Sequence, residues 1–185
     1  MNKLLILVGN SGSGKTTIES KLITTYPDLF NKLKQVTTRP MREGESEGNP
    51  YYFVSKEKFL SMSDSLIGRV GIDSKFNNYY GTIAELDQEK INTIILSEEG
   101  LNDFLKSDYS VKCKYVIVGI RRKLDTLTPE ELAVRNRDHD VMMEEMNVFS
   151  YTNNIFDVTK NSDNELVFVD VEEVCKLVLN IFLNK

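Results

Sequence analysis

The chain opens on an unbroken apolar run, Leu4 to Val8. Such a run, rich in β-formers, predicts a strand covered on both faces, as in a parallel sheet flanked by helices. It stops at Gly9, and Gly9 to Gly14 reads as a loop. From Lys15 to about Tyr26 the apolar positions Ile18, Leu22 and Ile23 share one helical face, and Pro27 and Asp28 end the helix. Residues 35–54 are polar and turn-rich, with Pro40, Gly44, Gly48 and Pro50. Ser55 is a candidate N-cap for a short helix over Lys56 to Met62. Thr93–Ser97 and Lys114–Ile120 are further buried-strand candidates. Thr128 followed by Pro129, Glu130 and Glu131 has the pattern of a helix start. A late strand is predicted over Glu165–Val169 and an amphipathic helix over Val171–Leu183. Strands separated by helices of these lengths predict one α/β domain with a parallel sheet.

Composition narrows the chemistry. A length of 185 residues suits a single domain with its own core. A net charge of −5 denies the broad basic face of a general nucleic-acid binder, but leaves room for a local pocket for a small anion. Two distant cysteines, Cys113 and Cys175, and one histidine, His139, cannot build a disulfide framework or a Cys/His zinc site. No apolar run approaches a membrane span. The five apolar residues after Lys3 fall short of the roughly 7–15 of a secretory core. The expectation is therefore a cytoplasmic, reduced protein without membrane contact, as monomer or homodimer.

Gly9-Asn10-Ser11-Gly12-Ser13-Gly14-Lys15-Thr16 satisfies the pattern G-x-x-x-x-G-K-[ST]. The glycines let successive backbone N–H groups point at one centre, and the helix that begins there adds its positive dipole end. Lys15 brings a point charge to the β and γ phosphates, and the Thr16 hydroxyl is a ligand for Mg²⁺. Gly9 to Thr16, with Thr17 beside them, are thus the candidate ATP-binding residues. The motif follows a strand and opens a helix, the context it requires. The chain lacks the Asn-Lys-x-Asp of a guanine-reading switch protein and the size of a motor, so small-molecule phosphotransfer is the favoured class.

Arg39 and Arg42 lie three apart in a turn-rich loop and suit a bidentate grip on a phosphate dianion. Tyrosines follow in Tyr51-Tyr52-Phe53-Val54-Ser55 and Asn78-Tyr79-Tyr80-Gly81-Thr82. Together with the phosphate loop and the run Thr37-Thr38-Arg39-Pro40-x-Arg42-x-Gly44-Glu45, these segments resemble the guanylate kinase family, most clearly over residues 3–82. The resemblance implies a P-loop NTPase three-layer fold with a parallel sheet, an inserted monophosphate-binding subdomain over about 35–86, and a lid over about 124–148. It implies that Arg39, Arg42, Tyr51 and Tyr80 grip the acceptor phosphate. Thr82 faces the base, and Gln35 and Glu45 belong to the same acceptor site. Arg135 and Arg137 resemble the lid cations, and Asn161 the family's adenine-side asparagine.

The chain departs from the family in four places. The family reads guanine with a carboxylate about ten residues before Tyr-Tyr-Gly, where this chain has Gly68-Arg69-Val70-Gly71-Ile72-Asp73. Gln35 replaces a serine near the base. The acidic strand end reads Ile95-Leu96-Ser97-Glu98-Glu99, with Ser97 in an aspartate place and Glu98 as a candidate outer partner of Mg²⁺. A further lid arginine is missing, where the chain reads Met142-Met143-Glu144-Glu145-Met146. Arg121 and Arg122 are additional candidate cations.

The expected reaction is ATP + GMP or dGMP giving ADP + GDP or dGDP, with Mg²⁺. A phosphate acceptor is already a dianion and needs no general base, so catalysis becomes placement and charge neutralisation. Lys15 acts on the donor, Arg39 and Arg42 fix the acceptor, and Arg135 and Arg137 arrive as the lid closes. The alternatives are another base specificity, prompted by Gly71 and Gln35, and a non-catalytic guanylate-kinase-like interaction module, which has no need of Lys15.

Overall fold

A computed structural model describes residues 1–10, 12–71, 78–122, 126, 128–129, 147–163 and 165–183. The apolar run at the start forms β1 (Asn2–Val8), which lies between β7 (Ile91–Ile95) and β8 (Cys113–Arg122), parallel to both. The main sheet has the order β10-β9-β8-β1-β7-β2, with β2 at Phe30–Lys32, β9 at Ile155–Lys160 and β10 at Leu166–Val167. Strand alternation sends Leu5 and Leu7 into one apolar cluster with Ile18, Leu22, Val174 and Val178, and Leu4, Ile6 and Val8 into another with Leu101 and Phe104. The five side chains from Leu4 to Val8 are fully buried, each stabilising the fold by roughly 1.5–3 kcal/mol. Helices α1 (Lys15–Thr25) and α5 (Val171–Leu183) cover one face, and α3 (Glu98–Lys106) the other, giving three layers. Two shorter helices are α2 (Lys56–Ser61) and α4 (Tyr109–Lys112).

Residues 35–83 build a second sheet of order β4-β3-β6-β5, from β3 (Gln35–Thr37), β4 (Tyr52–Phe53), β5 (Leu66–Val70) and β6 (Tyr80–Ile83). Val36, Phe59, Leu66 and Tyr79 form its own small core. Ser55 caps α2 as predicted, its hydroxyl accepting from the Lys58 amide at 3.2 Å. The small sheet is clasped to α3. The Arg69 amide and guanidinium donate to Asp103 at 2.8 and 2.9 Å, and the Gly71 amide donates to Glu99 at 2.9 Å.

The structure corrects several element bounds. The strand expected over Thr93–Ser97 ends at Ile95 because the Ser97 hydroxyl accepts from the Gly100 amide at 3.2 Å and caps α3. Glu98 and Glu99 accordingly occupy the first helical turn, where acids favour the dipole. The late strand shrinks to Leu166–Val167 and runs antiparallel to β9, against the all-parallel expectation. The cause is a tight turn in which the Asn161 side-chain oxygen accepts from the Asp163 and Glu165 amides at 3.0 and 2.8 Å. The helix expected after Thr128 lies almost wholly outside the described residues. Both cysteines are unpaired, and burial pushes their thiols up. No helix among the described residues is long and apolar enough to cross a membrane.

Candidate active site

The phosphate loop joins β1 to α1 at the carboxyl edge of the sheet, the usual ligand-binding edge of an open α/β fold. Gly9 stands at φ 146°, and a Cβ there would lie 2.0 Å from the Ile120 carbonyl oxygen, so no other residue fits. The Asn10 side chain is buried and fastened to β8. It donates to the Arg122 carbonyl and accepts from the Arg122 amide, both at 3.0 Å. Asn10 thus shapes the loop with its side chain, while its backbone remains part of the cradle. Gly14 caps α1 without a side-chain hydrogen bond, and no acid occupies the first turn. The orphan amides and dipole of that helix end are therefore suited to an anion. The Ser13 hydroxyl is buried with no hydrogen-bond partner among the described residues, a costly state that a phosphate oxygen would relieve. Lys15 curls over the loop, its Nζ donating to the Gly9 and Asn10 carbonyls at 2.7 and 2.9 Å. Thr16 and Thr17 are exposed on the first turn of α1.

A cleft of about 540 Å³ opens beside this loop. Thr16 lines it from α1, Gln35 from β3, Tyr80 and Thr82 from β6, and Tyr51 from the segment before β4. The β3–β6 ladder pairs Gln35 with Thr82 and Thr37 with Tyr80, which sets these groups along one wall. Tyr51 and Tyr80 meet edge to face, with ring centres 5.7 Å apart. Burial pushes the Tyr51 phenol up, so it is a hydrogen-bond donor at neutral pH. The Gln35 amide donates to the Ile95 carbonyl at 3.3 Å, tying the small sheet to the end of β7.

Arg39 lies behind Tyr51 rather than in the cleft lining, its guanidinium 5.6 Å from the ring centres of both Tyr51 and Phe53. Glu45 holds it in a fork, with Nη1 and Nη2 donating at 2.9 and 2.8 Å, while Nη1 also donates to the Pro40 carbonyl. These bonds use three of the five guanidinium N–H donors. The hydrogen bond from Arg39, then the Arg42 amide, lowers the Glu45 carboxyl to about 2, and the same pairing raises Arg39. Glu45 is thus placed to position Arg39. Arg42 is exposed on the same loop.

Other expected site residues are placed elsewhere. Asn161 is committed to the β9–β10 turn, where its amide also donates to Glu165 at 3.2 Å. Arg121 forks onto Asp157 at 2.6 and 2.9 Å, and Arg122 is buried against Thr126, so both serve the β8 edge. Ser11, Asp73, His139, Met142, Met143 and Met146, and the lid arginines Arg135 and Arg137, lie outside the described residues. Sequence reasoning missed Glu19 and Lys32, which line the cleft as an ion pair. The available signal was the spacing of Glu19 three residues after Thr16, which puts both on one helix face. Among the described residues no three His, Cys, Asp or Glu side chains are grouped to hold a metal.

The guanylate kinase family model matches residues 1–175 of the chain. A guanylate kinase of Helicobacter hepaticus is 36% identical over 118 residues, covering 56% of this chain and 57% of that protein. One of Neisseria meningitidis serogroup A is 34% identical over 133 residues, 71% of this chain and 56% of that protein. The matches thus span little more than half the length of these curated relatives. The crystal structure of guanylate kinase from Anaplasma phagocytophilum superposes with a TM-score of 0.63 at 23% identity, over 98% of this chain and 84% of that one, which shows the shared fold. With the phosphate loop at the edge of a three-layer sheet and the family match running through nearly its whole length, the chain belongs to the guanylate kinase family.

Proposed function

We propose that the protein is an ATP-dependent nucleoside monophosphate kinase that transfers the γ-phosphoryl group of ATP to GMP or dGMP, releasing ADP and GDP or dGDP. The observation that carries this reading is that one cleft is lined both by Thr16 of the phosphate-loop helix and by Gln35, Tyr51, Tyr80 and Thr82 of the small sheet. The uncapped end of α1 and the orphan Ser13 hydroxyl fit a phosphate chain, and the Thr16 hydroxyl would hold Mg²⁺ with phosphate oxygens and water completing its shell. When bound, Mg²⁺ neutralises charge on the donor phosphates.

The protein's own part is binding and orientation. Lys15 swings from its loop carbonyls to the β and γ phosphates. Tyr51, Tyr80 and Arg39 hold the acceptor phosphate in line, with Arg42 adding charge from the loop and Glu45 holding Arg39 in register. Gln35 and Thr82 face the base. Residues 35–86 act as the acceptor subdomain, and a lid over about 124–148 brings Arg135 and Arg137 to the moving phosphoryl group and excludes water. The test is ATP-dependent phosphorylation across all ribo- and deoxynucleoside monophosphates, followed by ³¹P NMR. GMP and dGMP are expected to give the corresponding diphosphates. Retained ATP binding with no product from any acceptor would contradict the reading and favour an interaction module.

A further inference from the structure

Glu19 is the one carboxylate among the described residues that lines the acceptor cleft. It sits in the second turn of α1, with its side chain only 3% exposed. One carboxylate oxygen accepts from the buried Thr93 hydroxyl at 3.0 Å, and the other lies 3.2 Å from the Lys32 ammonium. Lys32 ends β2, three residues before Gln35, and its side chain is 38% exposed. Glu19 and Lys32 therefore share the cleft lining with Gln35 and Thr82, a pair that lies two residues along the β3–β6 ladder from Tyr80.

Among the described residues, β5 offers no such group. β5 contributes Gly68 and Val70 to the lining. Gly68 has φ +62°, and a Cβ there would stand 2.3 Å from the Leu96 Cδ2. Leu96 thus closes the space a side chain would need, and β5 supplies no side-chain acceptor from this position. A side-chain carboxylate for a base edge comes instead from α1.

The chemistry of the pair favours a base over a cation. Lys32 already neutralises Glu19, whereas a divalent ion needs a net negative set of oxygens. An acceptor beside a donor matches the edge of a 6-oxopurine, which presents a carbonyl acceptor next to an N1–H donor, with a 2-amino donor in guanine. We propose that Glu19 and Lys32 form the specificity-determining pair of the acceptor cleft, Glu19 accepting from N1–H and the 2-amino group and Lys32 donating to O6. This rests on the proposed acceptor role of the cleft.

The test compares wild type, Glu19→Gln and Lys32→Met. For each, kcat/KM is measured with GMP, IMP and AMP, and binding of the same monophosphates is titrated calorimetrically without ATP. The expected result is a fall of about 10-fold or more in the GMP-to-AMP ratio for Glu19→Gln, carried by KM, and a smaller fall for Lys32→Met. Glu19→Gln should also narrow the gap between GMP and IMP. If Glu19→Gln fails to fold, the half-exposed Lys32 still decides the matter through Lys32→Met. Unchanged ratios with a lowered Tm would overturn the proposal and leave a structural ion pair only. Wild type that binds GMP over AMP yet phosphorylates neither would defeat the kinase reading, while the calorimetric ratios of the variants would still decide the pair. Wild type that binds no monophosphate would overturn both.

Discussion

The phosphate loop takes its working groups from eight consecutive residues and largely from their backbone, whereas the acceptor cleft gathers side chains from α1, β2, β3, β5, β6 and β7. The loop is held by steric necessity at Gly9 and by the buried Asn10–Arg122 bonds. The cleft is held by pairings between residues far apart in the chain, such as Arg69 with Asp103 and Gln35 with Ile95. A contiguous cradle tolerates little change at any position. A composite one can exchange single groups while keeping its shape.

The largest effect is expected in the loop. Lys15→Ala should lower kcat by about 10²–10³, because it removes a cation aimed at the developing phosphate charge. Its Tm should stay near wild type, since the Lys15 ammonium donates to the Gly9 and Asn10 carbonyls of its own loop. Wild-type turnover by Lys15→Ala would break the comparison. Next, Arg39→Ala should raise the KM for GMP by about 10–100-fold, the worth of charge-assisted hydrogen bonds, with the KM for ATP little changed. Arg39→Lys should rescue poorly, because an ammonium cannot reproduce the fork to Glu45.

A smaller effect sharpens the account of the cleft wall. Gly68→Ala should cost about 1–3 kcal/mol through overpacking against Leu96, read as a lower Tm. An unchanged Tm would mean that Leu96 moves aside and the wall is open. The smallest effect concerns Glu45, whose folded carboxyl titrates near 2 against an ordinary 4.5. Its contribution is full above pH 4.5 and is lost as pH falls from there toward 2. The Tm gap between wild type and Glu45→Gln should close over that window. A gap that persists at pH 2 would place the stabilisation elsewhere.

The difference between the two regions also explains what was legible in the chain. Leu4–Val8, Lys15–Thr25 and Val171–Leu183 carry their periodicity locally, and all three elements are present. The phosphate loop is legible for the same reason. The small sheet is not, because β3 to β6 are two to five residues long and exist through pairing with one another. Ser97 reads as the end of an apolar strand until its hydroxyl is seen capping α3. Glu19 reads as an ordinary polar position on a helix, and only the approach of Thr93 and Lys32 makes it a buried cleft residue. Arg39, chosen for its chemistry, packs against Tyr51 behind the cleft lining, and Glu45 as its holder emerges from geometry alone.

The central claim is that two separate anion cradles meet across one cleft and bind their nucleotides together. Backbone amide NMR, with GMP added first and a non-hydrolysable ATP analogue second, tests it directly. The account predicts that GMP shifts the Gln35, Tyr80 and Thr82 amides, and that the analogue then shifts Gly9 to Thr17 without displacing GMP. Competition of both nucleotides for the phosphate loop, with Gln35 and Thr82 unmoved, would contradict it.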